Sequence, residues 1–222
     1  MPARRIDGPT AEKLDQRRKR RSNNNAFINV PYDRRYENQY LALIAGLCGF
    51  GLIPRATIEI PGGQRRLDRI FALIRQCRYS FHDLSRVQLD RAHPPTPRFN
   101  MPFELGLAVA SAKMQRAREN WYVFEAVRRR LSKSLSDLDG SDPYIHNATP
   151  ERLLRELTNA LVRRRLEPTV RQLEDVYSDL RKAVPAIKRE LRTDTLFAAR
   201  PFRDLITVAT RSVQVRIVGR RP

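Results

Sequence analysis

Short apolar runs alternate with stretches of helical periodicity between Ala26 and Phe124, and no other feature of the chain restricts its fold so tightly. Ala26-Phe27-Ile28-Asn29-Val30 is stopped by Pro31, after which Tyr36, Tyr40, Leu43, Ile44 and Leu47 recur at helical spacing until Gly49 and Gly51. Ala56-Thr57-Ile58-Glu59-Ile60 predicts a second strand, and Leu67, Ile70, Phe71 and Ile74 predict a second helix. Tyr79 to Asp83 is a third strand, Met101 to Lys113 a third helix started by Pro102, and Trp121 to Phe124 a fourth strand. Strand and helix in strict alternation build right-handed βαβ crossovers, so the expected class is α/β, a parallel sheet with helices on both faces.

Beyond this region, Asp137 to Pro150 is rich in turn formers and leads to a helix expected from Glu151 to Arg165. From Pro168 onward Val170, Leu173, Tyr177, Leu180, Val184, Ile187 and Leu191 follow a 3-4 spacing, the stripe of a packed helix or short coiled coil, interrupted at Pro185. Packing against its own domain is the expectation for so short a zipper, with self-association as the alternative. Val213, Val215 and Ile217 alternate with Gln214 and Arg216 and predict a terminal edge strand. Three parts follow: a disordered basic arm over residues 1–25, an α/β domain over 26–166 and a helical extension over 167–222.

The charge is heavily positive, 43 Lys and Arg against 24 Asp and Glu, for a net charge of +19. It is spread along the chain: residues 1–25 contribute +5, residues 26–150 contribute +6 and residues 151–222 contribute +8. Such a field attracts phosphates, in a nucleotide or in a nucleic acid held by residues 4–21, without naming either. Only six of the basic residues are Lys, a bias that genome composition also produces. The longest uncharged run, Tyr40 to Pro54, has 15 residues, short of the roughly 20 that span a bilayer, so no membrane partner is expected. The N-terminal arginines are not followed by an apolar stretch, so no secretory leader is expected and a cytoplasmic location is. Cys48 and Cys77 have neither the spacing of a disulfide framework nor that of a zinc site, and no metal is expected.

In an open parallel sheet, ligands bind beyond the carboxyl ends of the strands. Polar residues gather there: Asn29, Tyr32 and Asp33 after strand one; His82, Asp83, Ser85 and Arg86 after strand three; then Arg98, Phe99, Asn100 and Glu104. Gly-x-Gly-x-x-Gly, the P-loop and Gly-x-Ser-x-Gly are all missing, and the three histidines, His82, His93 and His146, form no pair at i, i+4. Carboxylate chemistry remains.

The segments Asn29-Val30-Pro31-Tyr32-Asp33, Ser80-Phe81-His82-Asp83-Leu84-Ser85-Arg86 and Arg98-Phe99-Asn100-Met101-Pro102-Phe103-Glu104-Leu105-Gly106 resemble bacterial proteins related to nucleoside 2-deoxyribosyltransferases and TIR domains. The likeness covers about residues 26–150 and implies a flavodoxin-like sheet. In the transferases the carboxylate of a Phe-Glu-Leu-Gly segment is the nucleophile that takes the sugar from its base, and Glu104 matches it. TIR-type relatives use a helix glutamate to break the nicotinamide–ribose bond of NAD. The resemblance therefore implies N-glycosidic cleavage of NAD or a related nucleotide as substrate, with no further cofactor, in a bacterial defence effector. Asp83 matches an aspartate near the end of the transferases' third strand, and Tyr32 an aromatic after their first. The transferases carry an aspartate six residues before the nucleophile. Arg98 stands there instead and suits a phosphate, which favours a nucleotide over a bare nucleoside.

Departure of a base from an anomeric carbon builds positive charge on the sugar ring, which a carboxylate captures or stabilises. Glu104 is the candidate for that role. Asp83 would hold ribose hydroxyls or pass a proton; Tyr32 and Phe99 would stack on the base; Asn29, Asp33, Ser85, Arg86, Arg98 and Asn100 would line the site, Arg98 on phosphate. Each has a plainer alternative: first-turn stabilisation of a helix for Glu104, an N-cap for Asp33, a buried structural ring for His82, an exposed cation for Arg98, and turn formation for Asp137, Asp142 and His146. Two further functions compete with catalysis: a basic adaptor for nucleic acid or protein, and a TIR-like module acting as a homo-oligomer.

Overall fold

The computed structural model describes residues 23–60, 65–87, 89–90, 93–114, 120–138, 140, 142–162 and 166–219. Residues 1–22, most of the expected basic arm, lie outside these. Asn23 to Asn25 do not belong to an arm: Asn23 Nδ2 donates to the Gln76 carbonyl at 2.6 Å, and Asn25 opens the first strand.

The strands are β1 (Asn25–Asn29), β2 (Ile53–Ala56), β3 (Tyr79–Asp83), β6 (Trp121–Glu125) and β7 (Tyr144–Ile145), with β4 (Leu89–Asp90) and β5 (Thr96–Pro97) forming a separate antiparallel ribbon. The main sheet has the order β2-β1-β3-β6-β7 and every pairing in it is parallel, which is the flavodoxin-like arrangement. Its connections reverse direction between β1 and β3, where Asn29 lies opposite His82.

The helices are α1 (Glu37–Gly49), α2 (Arg66–Gln76), α3 (Asn100–Met114), α4 (Arg130–Ser134), α5 (Pro150–Ala160), α6 (Val170–Glu190) and α7 (Ala199–Val213). Phe27 packs with Ile70, Leu73, Ile74 and Ala108 under α2 and α3, while Ile28, Phe81 and Phe124 face the opposite layer. That layer is built on α1, which is buried on almost every side, consistent with its sequence being apolar all round. Gly46 lets Leu157 of α5 approach, and Gly49 lets Leu173 of α6 approach. At the end of α1, Gly51 takes φ +70, the left-handed turn that returns the chain into β2.

Several expectations are corrected. The second strand is Ile53–Ala56, not Ala56–Ile60: Glu59 folds back so that its Oε1 accepts from the Ala56 N–H at 2.7 Å, which winds Thr57–Glu59 into a 3₁₀ turn. The terminal edge strand does not exist, because Val213 ends α7 and Gln214–Val218 forms a π-helical turn whose Ile217 is buried against the core. Helix α5 ends at Ala160, and the expected continuation to Arg165 reaches residues outside those described. Pro185 does not interrupt α6, which runs through it. The 3-4 stripe is spent internally, with Leu173, Tyr177, Leu180 and Ile187 sharing one cluster with α1 and α7 residues. The expected extension is thus part of the single large core. Among the described residues, no helix is long and apolar enough to cross a membrane.

Candidate active site

The carboxyl edge of the sheet carries two groups of polar residues that differ in how completely they are paired. The first is closed. Asp83, at the end of β3, is 2% exposed, and its carboxylate accepts from the Ser85 N–H at 2.9 Å, from the Tyr36 hydroxyl and from His146 Nε2 at 3.0 Å. Burial opposes its charge, but the bonds from His146, Ser85 and Tyr36 outweigh burial and hold the carboxyl below the usual range. Burial in turn keeps the Tyr36 phenol protonated far above its ordinary range.

Ser85 Oγ lies 2.9 Å from His146 Nε2, so serine, histidine and aspartate do meet here. They do not form a nucleophile relay. His146 Nδ1 accepts from the Ala148 N–H at 3.1 Å, which puts the ring proton on Nε2, the nitrogen that faces both Ser85 and Asp83. A relay needs an unprotonated nitrogen toward the serine and the aspartate on the other nitrogen. His146 is therefore a buried tie between β3 and β7, a part that the sequence reading of it as a turn former did not foresee.

Asn29 and His82 are also structural in their contacts. Asn29 Nδ2 donates to the Met101 carbonyl at 2.8 Å and lies 3.2 Å from His82 Nδ1, fastening β1 to the start of α3. His82 is fully buried beside Phe27, and burial pushes its ring down to about 3. Among the described residues its Nε2 has no hydrogen-bond partner.

The second group is open. Glu104 belongs to the stripe Met101, Glu104, Leu105 and Ala108, the buried face of α3, and is itself 7% exposed. Among the described residues its carboxylate receives no hydrogen bond and forms no ion pair. Burial raises it to about 7, and only the charge of Arg66, the first residue of α2, pulls in the other direction. The first-turn explanation does not hold: α3 starts at Asn100, so Glu104 is its fifth residue and no acid lies in the first turn.

Tyr32 is electrostatically coupled to Glu104, its hydroxyl 3.2 Å from Thr57 Oγ1 and its ring packed on Phe197 at 5.9 Å. Asp33 caps the turn before α1 by accepting from the Arg35 N–H at 3.0 Å, and its other oxygen takes Arg86 Nε and Arg98 Nη1, each at 2.8 Å. Phe99 and Phe103 stand out from α3 and its preceding turn at 67% and 54% exposure, and the Asn100 side chain is exposed beside them. The described residues include no group of three or more His, Cys, Asp or Glu side chains able to hold a metal. Both cysteines are free, and burial pushes each thiol up to about 12.

No protein-family model matches the sequence, and no curated protein or solved structure is significantly similar to it.

Proposed function

We propose that the protein is an enzyme that cleaves the N-glycosidic bond of a nucleotide, NAD among the candidates, with Glu104 as the carboxylate that meets the sugar. One observation carries the reading: a shielded acid with no partner among the described residues, at the carboxyl edge of a parallel sheet next to the point where its connections reverse. Stability alone does not explain such a residue, because burying a charge without compensation is costly. A carboxylate ready to bond to, or stabilise, an electron-poor anomeric carbon does explain it. The carboxylate must be ionised to act, so turnover should rise as pH passes through about 7. Nicotinamide leaves NAD as a neutral base and needs no proton, whereas a purine or pyrimidine nucleotide would need an acid. In this reading the closed Asp83 network fixes the floor of the site and Phe99 offers an aromatic face to the base.

The test is chromatographic. Full-length protein is incubated with NAD and with a panel of nucleotides and nucleosides, and release of free base is followed for wild type and Glu104→Gln. Release by wild type that falls by at least about 100-fold in Glu104→Gln supports the assignment. Equal rates in the two proteins, or no base released from any compound, overturns it and leaves the basic adaptor as the better account.

A further inference from the structure

We infer that Arg86 and Arg98, bridged by Asp33, form a phosphate clamp at the β1/β3 reversal, so that the substrate of Glu104 carries a 5′-phosphate or pyrophosphate. This rests on the reading of Glu104 above. The three residues come from three separate segments: Asp33 after β1, Arg86 after β3 and Arg98 before α3. A single carboxylate oxygen of Asp33 holds both guanidinium groups at 2.8 Å, and the two side chains keep 32% and 25% of their surface exposed. Asp33 fixes the position of both guanidinium groups. None of the described residues accepts from the two terminal nitrogens of Arg86, which leaves a planar fork of the kind that recognises phosphate in two-point fashion.

Arg34 and Arg35, both exposed, follow Asp33 directly in the chain. The guanidinium groups of Arg86 and Arg98 meet on one aspartate at the edge where the ligand crevice of such a sheet lies. The amide groups at the start of α3 point toward the same edge. Tyr32, which is electrostatically coupled to Glu104, is the residue immediately before Asp33, so the clamp and the carboxylate belong to the same edge of the sheet.

The test uses inorganic pyrophosphate as probe, titrated calorimetrically into full-length protein at fixed ionic strength. Arg86→Gln and Arg98→Gln are expected to weaken binding by roughly tenfold or more, and Arg86→Lys, which keeps charge but not the fork, by several-fold. Arg211→Gln removes the same charge from an exposed position near the end of α7 and is expected to change nothing. Undiminished binding in the clamp variants, or equal loss in all four, overturns the clamp. A second titration with single-stranded oligothymidylate separates the sources of phosphate. Binding that pyrophosphate displaces, with a steep salt dependence, would assign the clamp to a nucleic-acid backbone and overturn the nucleotide assignment. Glu104→Gln, which removes a negative charge, should bind pyrophosphate at least as tightly as wild type while losing base release, so a failure of catalysis and a failure of the clamp are read separately.

Discussion

Asp83 Oδ2 and His146 Nε2 stand 3.0 Å apart with both side chains almost wholly shielded from solvent, joining the ends of two strands that are not neighbours in the sheet. Removing one partner leaves the other in a site built for a hydrogen bond. Asp83→Asn and His146→Ala are each expected to cost about 2–4 kcal/mol. The double variant should cost less than the sum by at least about 1 kcal/mol, since the two share one network. Urea denaturation of the four proteins measures this. Single losses below about 0.5 kcal/mol would mean that the network does not support the fold.

Glu104 has the opposite effect on stability. Its folded value is raised to about 7, so between the ordinary range of a glutamate and pH 7 the folded chain holds the proton more tightly than the unfolded one. Stability contributed by the protonated form is complete at low pH and is lost as pH rises through 7, by up to about 3 kcal/mol. Glu104→Gln should therefore leave the unfolding midpoint nearly unchanged at pH 4 and raise it at pH 8. A midpoint that falls at pH 8 would contradict the burial described for this carboxylate.

His82 titrates in the other direction. Its ring is pushed down to about 3, so the unfolded chain binds a proton below about 6.5 that the folded chain refuses. Stability falls as the medium is acidified between those values, by up to about 5 kcal/mol. A substitution to an apolar or amide residue of similar volume, His82→Gln, should flatten the acid limb of a stability–pH curve while lowering its plateau. An unchanged acid limb would assign acid unfolding to other groups.

Two glycines in helices are expected to respond with opposite signs. A Cβ at Gly49 would lie 2.3 Å from Leu173 Cδ2, so Gly49→Val should destabilise by about 2–4 kcal/mol. A Cβ at Gly106 meets nothing within 4 Å, and Gly106→Ala on the exposed side of α3 should stabilise by about 0.5–1 kcal/mol. Thermal melts of the two variants settle the signs.

The parts of this architecture that were legible in the sequence are those set by local periodicity. Trp121 to Phe124 falls where its apolar run puts it, because interior strands are covered on both faces, and Tyr79 to Asp83 falls where the alternating aromatics Tyr79 and Phe81 put it, although Ser80, His82 and Asp83 are buried as well. The second strand is displaced because Pro54 is tolerated on an edge strand and because Glu59 turns the chain through contacts with Ala56 and Arg55, not through its apolar neighbours. The two-residue β7 leaves almost no periodic trace. His146 was unreadable for a related reason, since its partners Ser85 and Asp83 lie some 60 residues earlier and nothing local marks them. Glu104 and Arg98 stand out by residue type and by their place after a strand. That Arg98 shares the Asp33 oxygen with Arg86, and that Glu104 shares nothing, is three-dimensional information only.

The core cluster that holds Leu43 and Ile44 of α1 also holds Leu180 of α6, Phe202 and Val213 of α7, and Ile217 beyond them. During synthesis, α1, the first α-helix among the described residues, would thus remain uncovered until the segments that seal it, about 170 residues later, have left the ribosomal tunnel. The nascent chain carries an apolar cylinder through most of its translation. Holding chaperones would have their longest opportunity at α1, and a polypeptide cut short before α7 would be a substrate for proteases rather than a smaller working protein.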